Sequence, residues 1–362
     1  MLKKPNYIYL DRSDPYYQLP KKVMESLSQE IKNHNISQYS LTIGLPQLQE
    51  ELVQKLKNFN NIPVDSSQIL VTASSSLGLL VSFILCAMHN KGVILIPSLY
   101  YPPYKRLAES LNREYLFYPL NRNFLPDIPT LKKIIKKNKV SCLIINSPSN
   151  PTGATFPRNI INQIIKLSQE YNFYLISDEA YENYVYQGKH ISTASLVSSD
   201  NILSVFSFSK TFALSGWRLG YVVLPKIMIS DAEKLYRGIM INTSLFSQLV
   251  GLAILKQHKF PSLLFRHFAK QKQKIETTLK HYDVKFISPN GGLSFWIDVS
   301  KTGLSGQAFY EYSLKHIKVI VQPGIAFGED GKNYIRMSFS GSTENAYEGA
   351  LRLAKLHKIL SK

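Results

Sequence analysis

Between residues 68 and 223 the chain sets short, continuous apolar runs against longer segments of helical period. The runs lie at 68–72, 92–97, 140–146, 173–178, 202–206 and 219–223. A strand that is apolar at almost every position has no face left for water, so it belongs inside a sheet covered on both sides. The segments from Ser74 towards Met88, at 105–111 and at 160–171 read as covering helices. The expected class is therefore α/β, a mainly parallel central sheet sandwiched by helices. Sites in such sheets lie beyond the carboxyl ends of the strands.

Outside that span the rhythm differs. Residues 23–31 and 48–59 have helical periodicity. After Pro225 a long helical stretch is expected over about 244–281, then strands near 295–299, 319–321 and 334–338, and a last helix over 345–360. This predicts a large unit over 36–243 and a smaller α+β unit made of 1–35 and 244–362.

The bulk properties narrow the partners. With 362 residues and 44% hydrophobic content, a sizeable core is expected. The longest apolar candidate, 77–88, is too short to span a bilayer, so no membrane partner is expected. The start, Met1-Leu2-Lys3-Lys4-Pro5-Asn6, has no apolar core after its lysines, which argues against a secretory leader. Cys86 and Cys142 both sit in apolar runs and read as buried small hydrophobes in a reducing cytoplasm. Eight histidines show no metal-ligand spacing, so no metal site is expected. The formal charge of +18 is scattered, and clusters such as Lys132-Lys133 and Lys136-Lys137 suit a solvated helix face better than a nucleic-acid surface. A positive field does attract anionic cofactors and carboxylate substrates.

The chemistry concentrates in the segment 207–221, Ser-Phe-Ser-Lys-Thr-Phe-Ala-Leu-Ser-Gly-Trp-Arg-Leu-Gly-Tyr. Lys210 stands three residues after Ser207 and eight before Arg218. A deprotonated lysine forms a Schiff base with an aldehyde, while a serine hydroxyl and an arginine fork bind phosphate. The segment thus offers a covalent anchor and two phosphate ligands for pyridoxal phosphate; the plainer reading is a strand-turn-strand with an exposed lysine. Asp178, ending an apolar run, can pair with a protonated pyridine nitrogen or simply cap a helix. Tyr181, one helical turn on, can reach the ring's phenolic oxygen or pack as an ordinary half-buried tyrosine. Asn150, in the stiff loop Asn146-Ser147-Pro148-Ser149-Asn150-Pro151-Thr152-Gly153, can donate to the same oxygen or form a turn. Ser74-Ser75-Ser76 marks a strand-to-helix junction suited to phosphate, or to a plain cap. Tyr101 can stack on a ring or fill the core. Arg336, a charge in the apolar run Tyr334–Ser338, needs an anion: a substrate carboxylate or a structural partner.

Taken together, Ser-x-x-Lys with Gly-Trp-Arg-x-Gly-Tyr, Asn-Pro-Thr-Gly, Asp-Glu-x-Tyr and the late Arg336 resemble the class I/II aminotransferases of pyridoxal-phosphate fold type I. Their order fits, with 28 residues from Asn150 to Asp178, 32 more to Lys210 and 8 more to Arg218. The resemblance runs from about Gln38 to Ser340. It implies that Lys210 carries the cofactor as a Schiff base and shuttles the proton, and that Asp178 pairs with the ring nitrogen. Asn150 and Tyr181 would tune the phenolic oxygen. Ser207, Arg218 and the Ser75-Ser76 backbone would hold the phosphate, Tyr101 would stack on the ring, and Arg336 would grip the α-carboxylate beside Asn150. Tyr39, five residues before Gly44, matches a tyrosine that reaches a neighbouring subunit's phosphate, which implies a homodimer with shared sites.

Three positions depart from the family pattern. Gln49 follows Leu48 where arginine is usual, serines fill a phosphate turn where glycine is frequent, and 10–20 lacks the Gly-rich opening. The implied activity is transfer of an amino group from an amino acid to a 2-oxo acid. Alternatives are β-elimination or decarboxylation on the same scaffold, or a non-catalytic pyridoxal-phosphate-binding regulator. Tyr16, Tyr17 and Tyr101 hint at an apolar or aromatic substrate pocket, while Arg12 and Arg237 are candidates for a second carboxylate contact.

Overall fold

In the computed structural model, which describes residues 6–33 and 36–361, the apolar runs become the strands of one sheet. The leader reading falls largely on residues 1–5, outside the described residues. The chain opens with β1 (Ile8–Tyr9), α1 (Lys21–Asn33) and α2 (Pro46–Lys55). It then alternates through β2 (Ile69–Thr72), α3 (Ser75–His89), β3 (Val93–Pro97), α4 (Pro103–Ser110), β4 (Tyr115–Tyr118), α5 (Ile128–Lys137) and β5 (Val140–Asn146). Next come α6 (Arg158–Glu170), β6 (Tyr174–Asp178), β7 (Ile202–Ser207), α7 (Phe208–Thr211) and β8 (Gly220–Val223). The remainder is α8 (Ile229–Met240), α9 (Leu245–Leu255), α10 (Phe260–His281), β9 (Phe286–Ile287), β10 (Ser294–Asp298), α11 (Gly306–His316), β11 (Val319–Ile320), β12 (Gln322–Pro323), β13 (Tyr334–Ser338) and α12 (Thr343–Leu360).

The main sheet has the order β2-β8-β7-β6-β5-β3-β4. β3 to β7 pair in parallel, and only β8 runs against its two neighbours. The alternation of a strand explains its two covers. Cys142 and Ile144 of β5 join the core under α3, α4 and α8, whereas Leu143 and Ile145 join the one under α5 and α6. All seven residues of β5 are buried. A smaller sheet, β12-β13-β10-β9, is antiparallel throughout. β1 pairs in parallel with β11, and the following chain stays beside β13: Ser338 N–H donates to Leu10 O at 2.8 Å, and Tyr16 N–H to Ser340 O at 2.8 Å. Residues 11–14 are thereby carried to the carboxyl edge of the main sheet.

Several local readings need correction. The helix expected over 244–281 is two helices, α9 and α10, separated at residues 256–259. Pro261 is the reason: it cannot donate inside a continuous helix but suits the first turn of a new one. The helix expected to reach residue 59 leaves α geometry after Lys55 for a π turn over Leu56–Asn60. β4 escaped notice because it is an edge strand whose Leu116 and Phe117 are exposed. α8 and α11 were also missed, although Ser305 caps α11 by accepting from Ala308 N–H at 3.2 Å.

β8 lies unusually close to the start of α3. A Cβ at Gly220 would stand 2.4 Å from Ser75 N and 2.7 Å from Ser74 C, both backbone atoms with nowhere to go. Gly220→Ala is therefore expected to cost about 1–3 kcal/mol in urea unfolding; an unchanged midpoint would contradict this packing.

Candidate active site

β2, β3, β5, β6 and β7 end on the same edge, and the ends of β5 and β6 with the segments that follow all five strands supply most of the site. Asn146 of β5 is in register with Asp178 of β6. The Asn146 amide donates to Asp178 O at 3.0 Å and its carbonyl accepts from Asn150 N–H at 2.7 Å, which ties the Asn150 loop to the aspartate. Lys210 follows β7 on the single turn of α7. Arg336 comes from β13 of the other sheet. Lys210, Asp178, Asn150, Tyr181, Tyr101, Ser75 and Arg336 all line one cavity of about 310 Å³.

Asp178 is buried. The Tyr104 hydroxyl donates to its Oδ2 at 2.5 Å and Ala180 N–H to its Oδ1 at 3.1 Å. Burial nevertheless outweighs these bonds and pushes its carboxyl up to about 6. A carboxylate in this condition is short of a cation. Lys210 shows the converse effect. Burial pulls its amine down to about 8, opposed by Asp14 and assisted by Arg336 and Arg218. At pH 7 roughly one amine in ten is then neutral, against about one in three thousand for an ordinary lysine. In the structure that amine donates to Ser13 O.

Arg336 is 7% exposed. Its Nη1 donates to Asn150 Oδ1 at 2.8 Å and its Nη2 to Asp11 O, while Nε has no partner among the described residues. Because the Asn150 carbonyl is occupied by Arg336, its amide hydrogens remain for another acceptor. Tyr181 is buried and its hydroxyl is pushed up to about 12 by burial, so it serves as a hydrogen-bond donor at neutral pH.

The other predicted residues fall around the cavity or away from it. Burial pushes the Tyr101 phenol up, and the neighbouring Ser76 side chain partly opposes the shift. Ser207 is buried at the end of β7. Arg218 adopts the left-handed conformation (φ 52°), donates from Nη1 to Ser215 O at 2.8 Å, and its charge reaches Lys210 and Tyr101. Tyr39 is 79% exposed and lies outside the cavity wall. Of the second-carboxylate candidates, Arg12 lines the cavity, whereas Arg237 pairs with Glu233 on α8 at 2.8 Å and does not. Gln49 is not idle: its amide donates to Ile69 O at 2.7 Å, fixing α2 to β2.

Sequence reasoning missed Tyr104, Asn146 as a tie, and the lining residues Asp11, Ser13 and Asp14. Tyr104 had a signal, since it lies one helical turn after Tyr101. For Asp11, Ser13 and Asp14 the only signal was the resemblance of the 10–20 segment, in which Arg12 alone was singled out, because their place depends on the pairing of β1 with β11.

These residues fit pyridoxal phosphate on structural grounds. Lys210 has a lowered basicity, Asp178 lacks a cation, and the two face one cavity. Ser74 takes φ +90° with ψ 156°, backbone that favours glycine, and it does so to open the N-terminus of α3 against Gly220. That strained turn presents backbone N–H groups of the kind phosphate binds. Ser74 thus adopts the backbone conformation that favours glycine, at a turn where glycine is frequent in the family.

Comparison with known proteins agrees. Residues 5–353 match the family described as aminotransferase class I and II. The chain is 31% identical to the aspartate aminotransferase of Pyrococcus horikoshii, covering 98% of this chain and 91% of that one. It is equally 31% identical to aromatic-amino-acid aminotransferase 2 of Thermococcus litoralis, over 97% of this chain and 92% of that one. The solved aromatic aminotransferase from Pyrococcus horikoshii superposes with a TM-score of 0.91 at 27% identity, covering 98% and 96% of the two chains. The chain belongs to the class I and II aminotransferases. It has the pyridoxal-phosphate fold type I and is a pyridoxal-phosphate-dependent transaminase that moves an amino group between amino acids and 2-oxo acids.

The reaction of Lys210 in the cofactor-free protein with an aromatic aldehyde is expected to rise with pH through a midpoint near 8, because only the neutral amine attacks. A midpoint near that of free lysine, read by stopped-flow absorbance, would contradict the burial argument.

Proposed function

We propose that the cavity binds an α-amino acid by its carboxylate on Arg336 and its amine beside Lys210, and that these residues carry out the amino transfer. The observation that carries this reading is that Arg336 and Lys210, from different sheets, line the same cavity of about 310 Å³ with Asn150 bonded to the arginine. Bound pyridoxal phosphate supplies the aldehyde that captures the amine and the ring that takes up the electron pair of the broken Cα–H bond. Asp178, ionised, keeps the proton on the ring nitrogen. The Asn150 amide and the Tyr181 hydroxyl donate to the phenolic oxygen. The Ser75-Ser76 backbone, Ser207 and Arg218 hold the phosphate, and Tyr101 covers the ring. Lys210 would anchor the cofactor, and its freed amine would take the proton from the substrate Cα and deliver it to the former aldehyde carbon, so that the amino group leaves with the cofactor. A carboxylate clamped by arginine is held against loss as carbon dioxide, which favours transamination over decarboxylation.

Within this reading Arg12 is the cavity-lining cation available to a distal carboxylate; its side chain is 70% exposed and only loosely paired with Asp11 at 3.6 Å. Lys210→Ala should keep cofactor noncovalently and lose about 10²–10⁴-fold or more in turnover. Arg336→Ala should raise the KM for every amino donor. Full activity of the lysine variant in a coupled assay would overturn the assignment.

The working form is a homodimer. Ile36, Tyr39, Leu41, Ile239, Met240, Ile241 and Phe246 are exposed apolar residues. Their segments are tied together, since Asn242 and Gln248 amides donate to Ser40 Oγ at 3.0 and 3.1 Å. Ile241 takes φ +63°, an uncommon conformation for a β-branched residue. A second copy covering this face would bring Tyr39 to its partner's phosphate. Leu41→Glu is expected to shift the sedimentation velocity from dimer to monomer and to weaken cofactor retention; an unaffected dimer would refute this face.

Two further assignments belong here. Residues 36–243 hold the whole main sheet and form the cofactor-binding unit, with 1–35 and 244–362 as the smaller one; α9 packs on both α1 and α2 and joins them. The free, buried Cys86 and Cys142 suit a reducing cytoplasm.

A further inference from the structure

A second buried carboxylate lies behind the lysine. Glu182 is 2% exposed and directly follows Tyr181. Lys55 Nζ donates to both of its oxygens at 2.6 Å. The Asn60 amide donates to Oε2 at 2.7 Å and the Thr211 hydroxyl to Oε1 at 3.2 Å. These donors come from the last residue of α2, from the π turn that follows it, and from α7. Lys55 is held in turn by the Tyr221 hydroxyl at 3.0 Å and sits over the Phe206 ring at 4.7 Å. Thr211 and Lys55 border a separate cavity of about 300 Å³, and neither lines the active-site cavity.

Stability alone is a poor explanation for this cluster. Taking two charges out of water costs about as much as their attraction returns, and apolar residues would fill the space as well. The connectivity is more informative. Thr211 is covalently next to Lys210, and Glu182 is covalently next to Tyr181. The bond between Thr211 and Glu182 therefore links the two chain segments one residue behind each group. α7 is only four residues long, a single turn that cannot hold its own shape. It needs an outside brace, and the Tyr184 hydroxyl adds another by donating to Lys210 O at 3.0 Å.

We propose that Lys55 and Glu182 are positioning residues that, through Thr211, fix where Lys210 stands relative to Tyr181. This rests on the reading of Lys210 as the cofactor anchor and proton carrier. Proton transfer is sensitive to such placement, since a displacement of about 1 Å can cost on the order of 100-fold in rate. The brace works at a distance from the substrate, so it acts on the chemical step and leaves carboxylate binding at Arg336 alone.

The variant that isolates this role is Thr211→Val, which has nearly the same shape and keeps the Lys55–Glu182 pair. Valine's second methyl fills the place of the hydroxyl, and Glu182 keeps Lys55 and Asn60 as donors, so the change removes one hydrogen bond and leaves no void. Two readouts are taken. The first is the single-turnover loss of the visible cofactor band with an amino donor. The second is the pH midpoint for reaction of Lys210 with an aromatic aldehyde in the cofactor-free protein. Thr211→Val is expected to slow the first about tenfold with donor KM within twofold, to displace the second, and to keep its thermal midpoint near that of the parent; Thr211→Ser should restore both. Lys55→Met should reproduce both changes. Parent rate and parent midpoint in Thr211→Val would overturn the brace. If the parent itself shows no donor-dependent change of the band, the transamination reading fails, and the aldehyde midpoint still decides whether the brace acts on Lys210.

Discussion

Everything in the site is arranged around one unfavourable burial, that of the Asp178 carboxyl at the end of β6. Its two hydrogen-bond donors, Tyr104 and the Ala180 amide, do not offset the lost water, and its proton affinity stays raised. Such a group is stabilised in its charged form only when a cation enters. The strand register puts Asn146 beside it, and Asn146 in turn fixes the Asn150 loop. The parallel order places the ends of β5, β6 and β7 side by side, so the aspartate, the asparagine loop and the lysine turn converge without any long-range adjustment.

The same burial acts with opposite sign on Lys210. Desolvation favours the protonated, neutral form of an acid and the deprotonated, neutral form of an amine. One dry edge therefore prepares both an acid that seeks a cation and an amine that can attack an aldehyde at neutral pH. Arg336 and Arg218 reinforce the effect on the lysine with their positive charge. Asp14 opposes them from the N-terminal segment, which reaches the site only because β1 pairs with β11.

The main sheet was legible in the sequence because its strands are apolar on both faces, and that pattern needs no tertiary information. The covering helices α3 and α6 were legible from length and helical period, α6 through the single face that buries Ile161, Ile164, Ile165 and Ser168. β4 was not, since an edge strand with exposed Leu116 and Phe117 has no such pattern. The break between α9 and α10 was carried by Pro261 alone, inside a stretch otherwise helical in period. At the site, Lys210, Asp178, Asn150 and Arg336 stood out as charged or polar residues at the ends of apolar runs or inside them. Glu182 and Lys55 did not. A glutamate after a tyrosine and a lysine at a helix end look like solvated surface, and only the fold reveals that they meet, 127 positions apart, with the glutamate buried.

The most direct test of the account is chemical. The protein loaded with pyridoxal phosphate is reduced with borohydride, digested and mapped by mass spectrometry. The account predicts a stoichiometric reduced pyridoxyl adduct on Lys210, present in the parent and absent from Lys210→Ala. An adduct on another lysine at full occupancy, or a visible band that borohydride leaves unchanged, would contradict it.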